Sequence, residues 1–319
     1  MSAATEKACP RCGASRGAEP ECARCGVVFA KLEQVAQAAD RPEHLAPETP
    51  VWSGAVEDAR QEVTLRYAAV PAALAFGALA THALHFLVRT FLSMWVHESG
   101  HAVTAWFCGY PAFPGPWKTP VGNEKSLLVV ALLLAALGTW LYRRAREQKW
   151  GAASAAGMLI VLQLALTLLL SPTHARALFT FGGDGGCFVL GTLLMTTFYL
   201  PADHPLRREW LRWGFLAIGA AAYCDAFQTW WAARSNSDAI PFGEIEGVGL
   251  SDPSKLTEVY GWSVHQVVSR YLVLAFACLA MLAVVYAVGL ASAKRALEAA
   301  SPSRAGQRRS RPSASSAKS

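Results

Sequence analysis

Apolar runs of roughly bilayer length recur along the chain at about 67–88, 90–108, 126–142, 151–171, 185–200, 210–232 and 264–292. A helix needs about 20 apolar residues to cross the hydrocarbon of a membrane. The pattern therefore predicts an all-α polytopic membrane protein of six or seven transmembrane segments. The breaks between runs carry the punctuation that ends helices: Pro111, Pro114, Pro116 and Pro120 after the second run, Ser171-Pro172 after the fourth, Pro201 and Pro205 after the fifth. Trp140, Tyr142, Trp150, Trp210, Trp213, Trp230 and Trp231 gather near run ends, as an aromatic belt at the membrane surface would have them.

Polar sequence is confined to the two ends. This predicts a Cys-rich module over 1–40, a linker over 41–65, a membrane body over 66–292 and a basic tail over 293–319. The composition agrees: 53% of the 319 residues are hydrophobic and 16% are charged, whereas about a quarter of an average soluble domain is charged. The first apolar run opens only near residue 67, so no secretory signal peptide is expected.

The net charge of +6 does not point to nucleic acid. Its excess lies in Arg143, Arg144, Arg146 and Lys149, in Arg207, Arg208 and Arg212, and in the tail, all flanking apolar runs. The positive-inside rule then places these loops and the C-terminal tail in the cytoplasm, as expected for a prokaryotic plasma membrane protein; a cytoplasmic N-terminus is expected separately, from its cysteines. The acidic loop 233–263 falls outside. One crossing is left over in the first half, so either 90–108 is not a full span or the Pro-rich stretch 109–124 re-enters the membrane. Within the outer loop, 241–250 alternates apolar with small or acidic residues, a pattern for a strand or hairpin over a site mouth, or for a solvated loop.

Two constellations carry chemistry. Cys9-Pro10-Arg11-Cys12-Gly13 and Cys22-Ala23-Arg24-Cys25-Gly26 are paired C-x-x-C-G knuckles, and four thiolates at this spacing form a tetrahedral structural zinc site. About forty residues bury too little surface to fold alone, so metal binding would supply most of the folding free energy of this zinc ribbon. Thiolates persist in a reducing compartment, which again favours a cytoplasmic N-terminus. Cys108, Cys187, Cys224 and Cys278 are scattered through apolar segments as small buried hydrophobes.

The second constellation is His97-Glu98-Ser99-Gly100-His101, inside an apolar run. Residues i and i+4 share a helix face, so His97 and His101 can offer two imidazoles to one zinc ion, with Glu98 beside them to take a proton from water. Each ionisable group in such a run costs about 2.5–3.5 kcal/mol of insertion free energy. Three together argue for a function.

Val96-His97-Glu98-Ser99-Gly100-His101-Ala102 resembles the H-E-x-G-H-A signature of the site-2 protease family of intramembrane zinc metalloproteases, and Gly182-Gly183-Asp184-Gly185-Gly186 resembles its later Asp-Gly motif. The resemblance implies a catalytic zinc held by His97, His101 and Asp184, with Glu98 as the catalytic glutamate, acting on a membrane-protein substrate. It covers two short motifs and the hydrophobic architecture; no Asn-Pro pair precedes Asp184 and no PDZ domain is recognisable. Asp184 opens an apolar segment amid glycines that allow close approach of another helix. Asp225, paired with Gln228 in 210–232, is the competing third ligand. His82 and His85 lie three apart on the first run, as packed histidines or pocket residues.

The expected protein thus holds two zinc ions, one catalytic and one structural, sits in a lipid bilayer, and uses its ribbon to recruit a cytoplasmic protein partner or to regulate access. The alternatives are a non-catalytic membrane metal-binding scaffold or sensor, and a transporter using the two histidines as an ion site.

Overall fold

The computed structural model describes residues 8–9, 11–15, 19–31, 53–208, 210–245 and 249–301. The expected tail beyond 301 and linker residues 41–52 lie outside the described residues. The chain divides into two units, 1–56 and 57–319.

In the first unit Cys9, Cys12, Cys22 and Cys25 form a cluster on two similar turns. The Gly13 amide donates to Cys9 O at 2.9 Å and the Gly26 amide to Cys22 O at 2.8 Å. Both glycines take positive φ, 73° and 68°, which closes each knuckle at little steric cost.

Helix α1 (Ser53–Val88) begins just before the division, and with it the second unit is a helical bundle of α2 (Met94–Phe107), α3 (Leu127–Arg146), α4 (Trp150–Leu169), α5 (Pro172–Thr196), α6 (Leu211–Ala233) and α7 (Val264–Ala300). Five helical stretches among the described residues are long and apolar enough to cross a membrane, which fits an integral membrane protein. Helix α3 makes the point locally: almost wholly apolar, it buries none of its residues inside the protein, so its surface suits lipid.

The six or seven runs read from the sequence resolve differently in two places. Runs 67–88 and 90–108 belong to one helical stretch, Gly54–Phe107. It bends at Leu84, whose φ/ψ of −132°/40° leaves the helical region, and widens into a π-helical segment at Arg89–Ser93. Helix α2 has 14 residues and spans only about 21 Å at 1.5 Å per residue, too little for a crossing of its own. Helix α6 is long enough but less apolar than the five, and its middle is buried among the other helices.

Helix α5 also begins earlier than its apolar run. Ser171 caps it, accepting from the His174 amide, and Pro172 stands in its first turn, where a missing N–H costs nothing. Asp184 therefore lies mid-helix instead of opening a segment. The glycines around it stay helical because they pack: a Cβ on Gly100 of α2 would fall 2.7 Å from Gly186 Cα. Tertiary contact outweighs their poor helix propensity.

Side-chain contacts set the helix directions. Cys187 Sγ reaches Ser93 O, His97 meets Asp184, and Tyr110 stacks edge-on against Phe179, so α2 runs antiparallel to α5. Tyr271 bonds Phe181 O near the start of α7, and Gly289 packs on Tyr199 near its end, so α7 runs parallel to α5. Helix α6 closes the path between them. Its Trp230 is not a belt residue: it is fully buried and stacks on Tyr271 at 4.1 Å.

Candidate metal centre

His97 and His101 lie one turn apart on α2 and are both buried. Each ring is fixed through Nδ1. His97 Nδ1 donates to Asp184 Oδ1 at 2.9 Å, and His101 Nδ1 donates to the carbonyl of Phe179 at 2.6 Å. A carboxylate and a carbonyl only accept, so each Nδ1 carries a proton, and Nε2 is the nitrogen left on each ring to hold a metal ion. The two Nε2 atoms stand 3.2 Å apart.

Asp252 completes the convergence. It opens a short helical turn, Asp252–Ser254, between α6 and α7. Its Oδ2 lies 3.2 Å from His97 Nε2 and 3.0 Å from His101 Nε2. These three donor atoms are close enough to one another to hold one metal ion.

Asp184, expected beside the histidines, is present but on the other edge of the His97 ring. Its Oδ2 accepts from Trp230 Nε1 at 2.9 Å, and Arg89 Nη1 reaches its Oδ1 at 3.3 Å. Arg89 also donates to Asp225 Oδ2 at 2.9 Å, and His85 Nε2 lies 3.3 Å from Asp225 Oδ1. Among the described residues, Asp225 is thus joined to the centre through Arg89. Gln228, its expected partner, turns to Ala78 O. Among the described residues, two groups of donors near the centre lie within 4.8 Å of one another: His97, His101 and Asp252, and His97, Asp184 and Cys187.

Glu98 is buried, and Thr119 Oγ1 stands 2.7 Å from its Oε2 and 2.9 Å from its backbone carbonyl. Thr119 belongs to stretch 109–124, which forms a hairpin-like loop with Ala112 bridged to Val121. A cavity of about 460 Å³ opens over His97, Glu98, His101 and Asp252. Its walls include the 109–124 loop and a second small hairpin, β1 (Glu244–Ile245) antiparallel to β2 (Gly249–Leu250). The alternating segment 241–250 does form strands at the site mouth; residues 246–248 lie outside the described residues.

The four-cysteine cluster has metal-like dimensions too. Cys9 Sγ and Cys25 Sγ are 3.7 Å apart, as are Cys12 Sγ and Cys22 Sγ. Sulfurs at about 2.3 Å from a tetrahedral ion would be about 3.8 Å apart, and a disulfide would bring them to about 2.05 Å. The amides of Arg24 and Cys25 hold the Cys22 thiol down to about 6. The Val27 amide lowers Cys25, but burial and the other three sulfurs outweigh it and push that thiol up to about 12.

Sequence reasoning missed Arg89, Thr119 and Asp252. Arg89 had a signal, since a lone arginine between apolar segments needs a buried partner. Thr119 and Asp252 had none beyond their place in Pro-rich and acidic loops. No family model, curated protein or solved structure matches the chain.

Proposed function

We propose that the chain is an intramembrane zinc metalloprotease that hydrolyses a peptide bond of another membrane protein, with a second, structural zinc ion in the four-cysteine cluster acting as the core of a ribbon. The observation that carries this reading is the pair of Nε2 atoms 3.2 Å apart on α2, held there by two outer hydrogen bonds and followed by a buried glutamate. Nitrogen and oxygen donors at this separation fit zinc, whose tetrahedral ligands at about 2.0–2.1 Å are about 3.3 Å apart. When bound, zinc supplies Lewis acidity that polarises a carbonyl and makes water a nucleophile near neutral pH.

The chain's own residues do the rest. Glu98, steadied by the Thr119 hydroxyl, takes the proton of the attacking water and returns it to the departing amine nitrogen. Asp184 and the Phe179 carbonyl keep both imidazoles in the ligating tautomer. The cavity of about 460 Å³ suits an extended peptide of a few residues, so a helical substrate must unwind to enter.

In this reading α1 and α2 make one crossing and α6 supplies a sixth beside the five apolar helices, which puts both termini on the basic, cytoplasmic side. The loops carrying Thr119 and Asp252 then lie at the opposite side. The ribbon, in the reducing cytoplasm, is suited to meet a protein partner.

Full-length protein incubated with a reconstituted single-span substrate tests the function. Cleavage that disappears in Glu98→Gln at unchanged metal content is expected. Full metal content with no cleavage of any substrate trapped by that variant would favour a scaffold or sensor, and metal-dependent flux in liposomes a transporter.

A further inference from the structure

We infer that Asp252, on the loop between α6 and α7, is the third protein donor of the metal centre, and that Asp184 is a positioning residue for His97. This rests on the reading of His97 and His101 as a metal-holding pair.

The geometry is triangular. Asp252 Oδ2 and the two Nε2 atoms are separated by 3.0, 3.2 and 3.2 Å. One face of a tetrahedron around an ion with bonds of about 2.0–2.1 Å has edges of about 3.3 Å. The remaining vertex is left for water or substrate, as a catalytic site requires.

Asp184 cannot occupy the same corner. It bonds Nδ1 of His97, and one imidazole cannot turn both nitrogens toward one ion. Its other oxygen is taken by the Trp230 indole. This is the arrangement of an outer carboxylate that fixes the tautomer and orientation of a ligating histidine.

Asp252 is held by its own surroundings. Ser251 Oγ accepts from the Ser254 amide, and Ser254 Oγ accepts from the Gly243 amide at 3.0 Å, tying the turn to the β1–β2 hairpin. Lys255 Nζ lies 3.6 Å from Asp252 Oδ1 and leaves Oδ2 to the histidines. The donor therefore arrives on the segment that walls the cavity, so seating that segment and completing the metal's protein ligands are one event. Two ligands ride on a rigid helix and the third on a loop.

The test is metal content per chain, with affinity by chelator competition, on full-length protein in detergent. Asp252→Ala and Asp252→Asn should hold one metal fewer than wild type, and Asp252→His, which offers a nitrogen donor, should regain it. Asp184→Asn should keep the full count under excess zinc and lose about 10–100-fold in affinity. Full count at wild-type affinity in both Asp252→Ala and Asp252→Asn overturns the assignment. So does loss of the metal from Asp184→Asn alone, or from all three Asp252 variants with His included. His97→Ala separates the two levels: if it keeps the full count, the metal-centre reading itself fails. If it loses one metal while Asp252→Asn does not, only the assignment of Asp252 fails.

Discussion

Gly183 lies on α5 directly against the two imidazoles, and replacing it by alanine isolates the geometry of the metal centre from every ionisable group. A Cβ at this position would stand 2.5 Å from His97 Cε1, 2.6 Å from His101 Nε2 and 2.7 Å from His101 Cε1. Non-bonded carbon contacts settle at about 3.5–4.0 Å, so the rings would have to recede by about 1 Å. They are not free to do so, because His97 is tied to Asp184 and His101 to Phe179 O through their far nitrogens. Ligand positions in a zinc site tolerate about 0.2 Å. Gly183→Ala should therefore weaken metal binding by more than the roughly 10–100-fold typical of losing an outer hydrogen-bond partner. Turnover should drop at least about 100-fold, the usual cost of misplacing a reacting group by 1 Å. The fold should survive, since the helix propensity that alanine adds, about 1 kcal/mol, offsets part of an overpacking cost of roughly 1–3 kcal/mol. Chelator competition, thermal melting and substrate cleavage measure the three quantities. Gly157→Ala, whose Cβ would meet nothing within 4 Å, serves as the control. A Gly183→Ala protein that binds metal with wild-type affinity would refute the placement of the imidazoles against α5.

Arg89→Met leaves the buried Asp184 and Asp225 without their shared cation and should cost about 3 kcal/mol or more. Adding Asp225→Asn should recover part of that loss, and equal melting temperatures for the single and double variants would show that the two ion pairs are not coupled. Thr119→Val removes the hydroxyl on Glu98 and should lower kcat about tenfold, the equivalent of one hydrogen bond to a charged group; unchanged kcat at full metal content would remove Thr119 from the machinery. For the four-cysteine cluster the pH dependence has a definite sign. Cys22, held down to about 6, is largely thiolate at neutral pH, whereas Cys25, pushed up to about 12, must give up a proton to bind metal. Affinity should therefore fall by about tenfold per pH unit for each proton displaced as the pH drops, and the metal should be released in acid. Chelator competition on His97→Ala protein reads this site alone, and a pH-independent affinity would contradict it.

What the sequence disclosed and what it hid divide by the range of the contacts involved. The two knuckles and His97/His101 are local patterns, because a fixed spacing on a turn or helix sets which donors share a face. Asp184 was legible as a member of the site, but its spacing could not say which edge of a ring it would meet. That depends on how closely α2 and α5 approach through Gly100, Gly182 and Gly186. Asp252 lies 155 residues from His97 in sequence and owes its position to the closure of a loop. Nothing in its neighbours Ser251 and Pro253 beyond a helix-start signal distinguishes it from Asp238 or Glu244. Trp230 shows the same limit from the other side. Its place near the end of an apolar run suggested the membrane surface, yet α6 turns it inward to donate to Asp184.

The charges gathered in the bundle explain why such an arrangement can persist. Around the cavity and the Arg89 junction, Glu98, Asp184, Asp225, Glu244 and Asp252 face three cationic side chains, Arg89, Lys118 and Lys255. Their formal charges leave an excess of two negative charges, and Glu98, Asp184 and Asp225 are buried. An uncompensated ion in such surroundings costs several kcal/mol even after relaxation. A divalent cation between His97, His101 and Asp252 cancels that excess without any further residue. A monovalent ion or an anionic ligand at the same point would not. The electrostatics of the whole cluster, beyond the ligands alone, therefore suit a divalent cation. Removal of a metal bound there should be felt as far as Asp225, which is linked to His97 through Arg89 and Asp184.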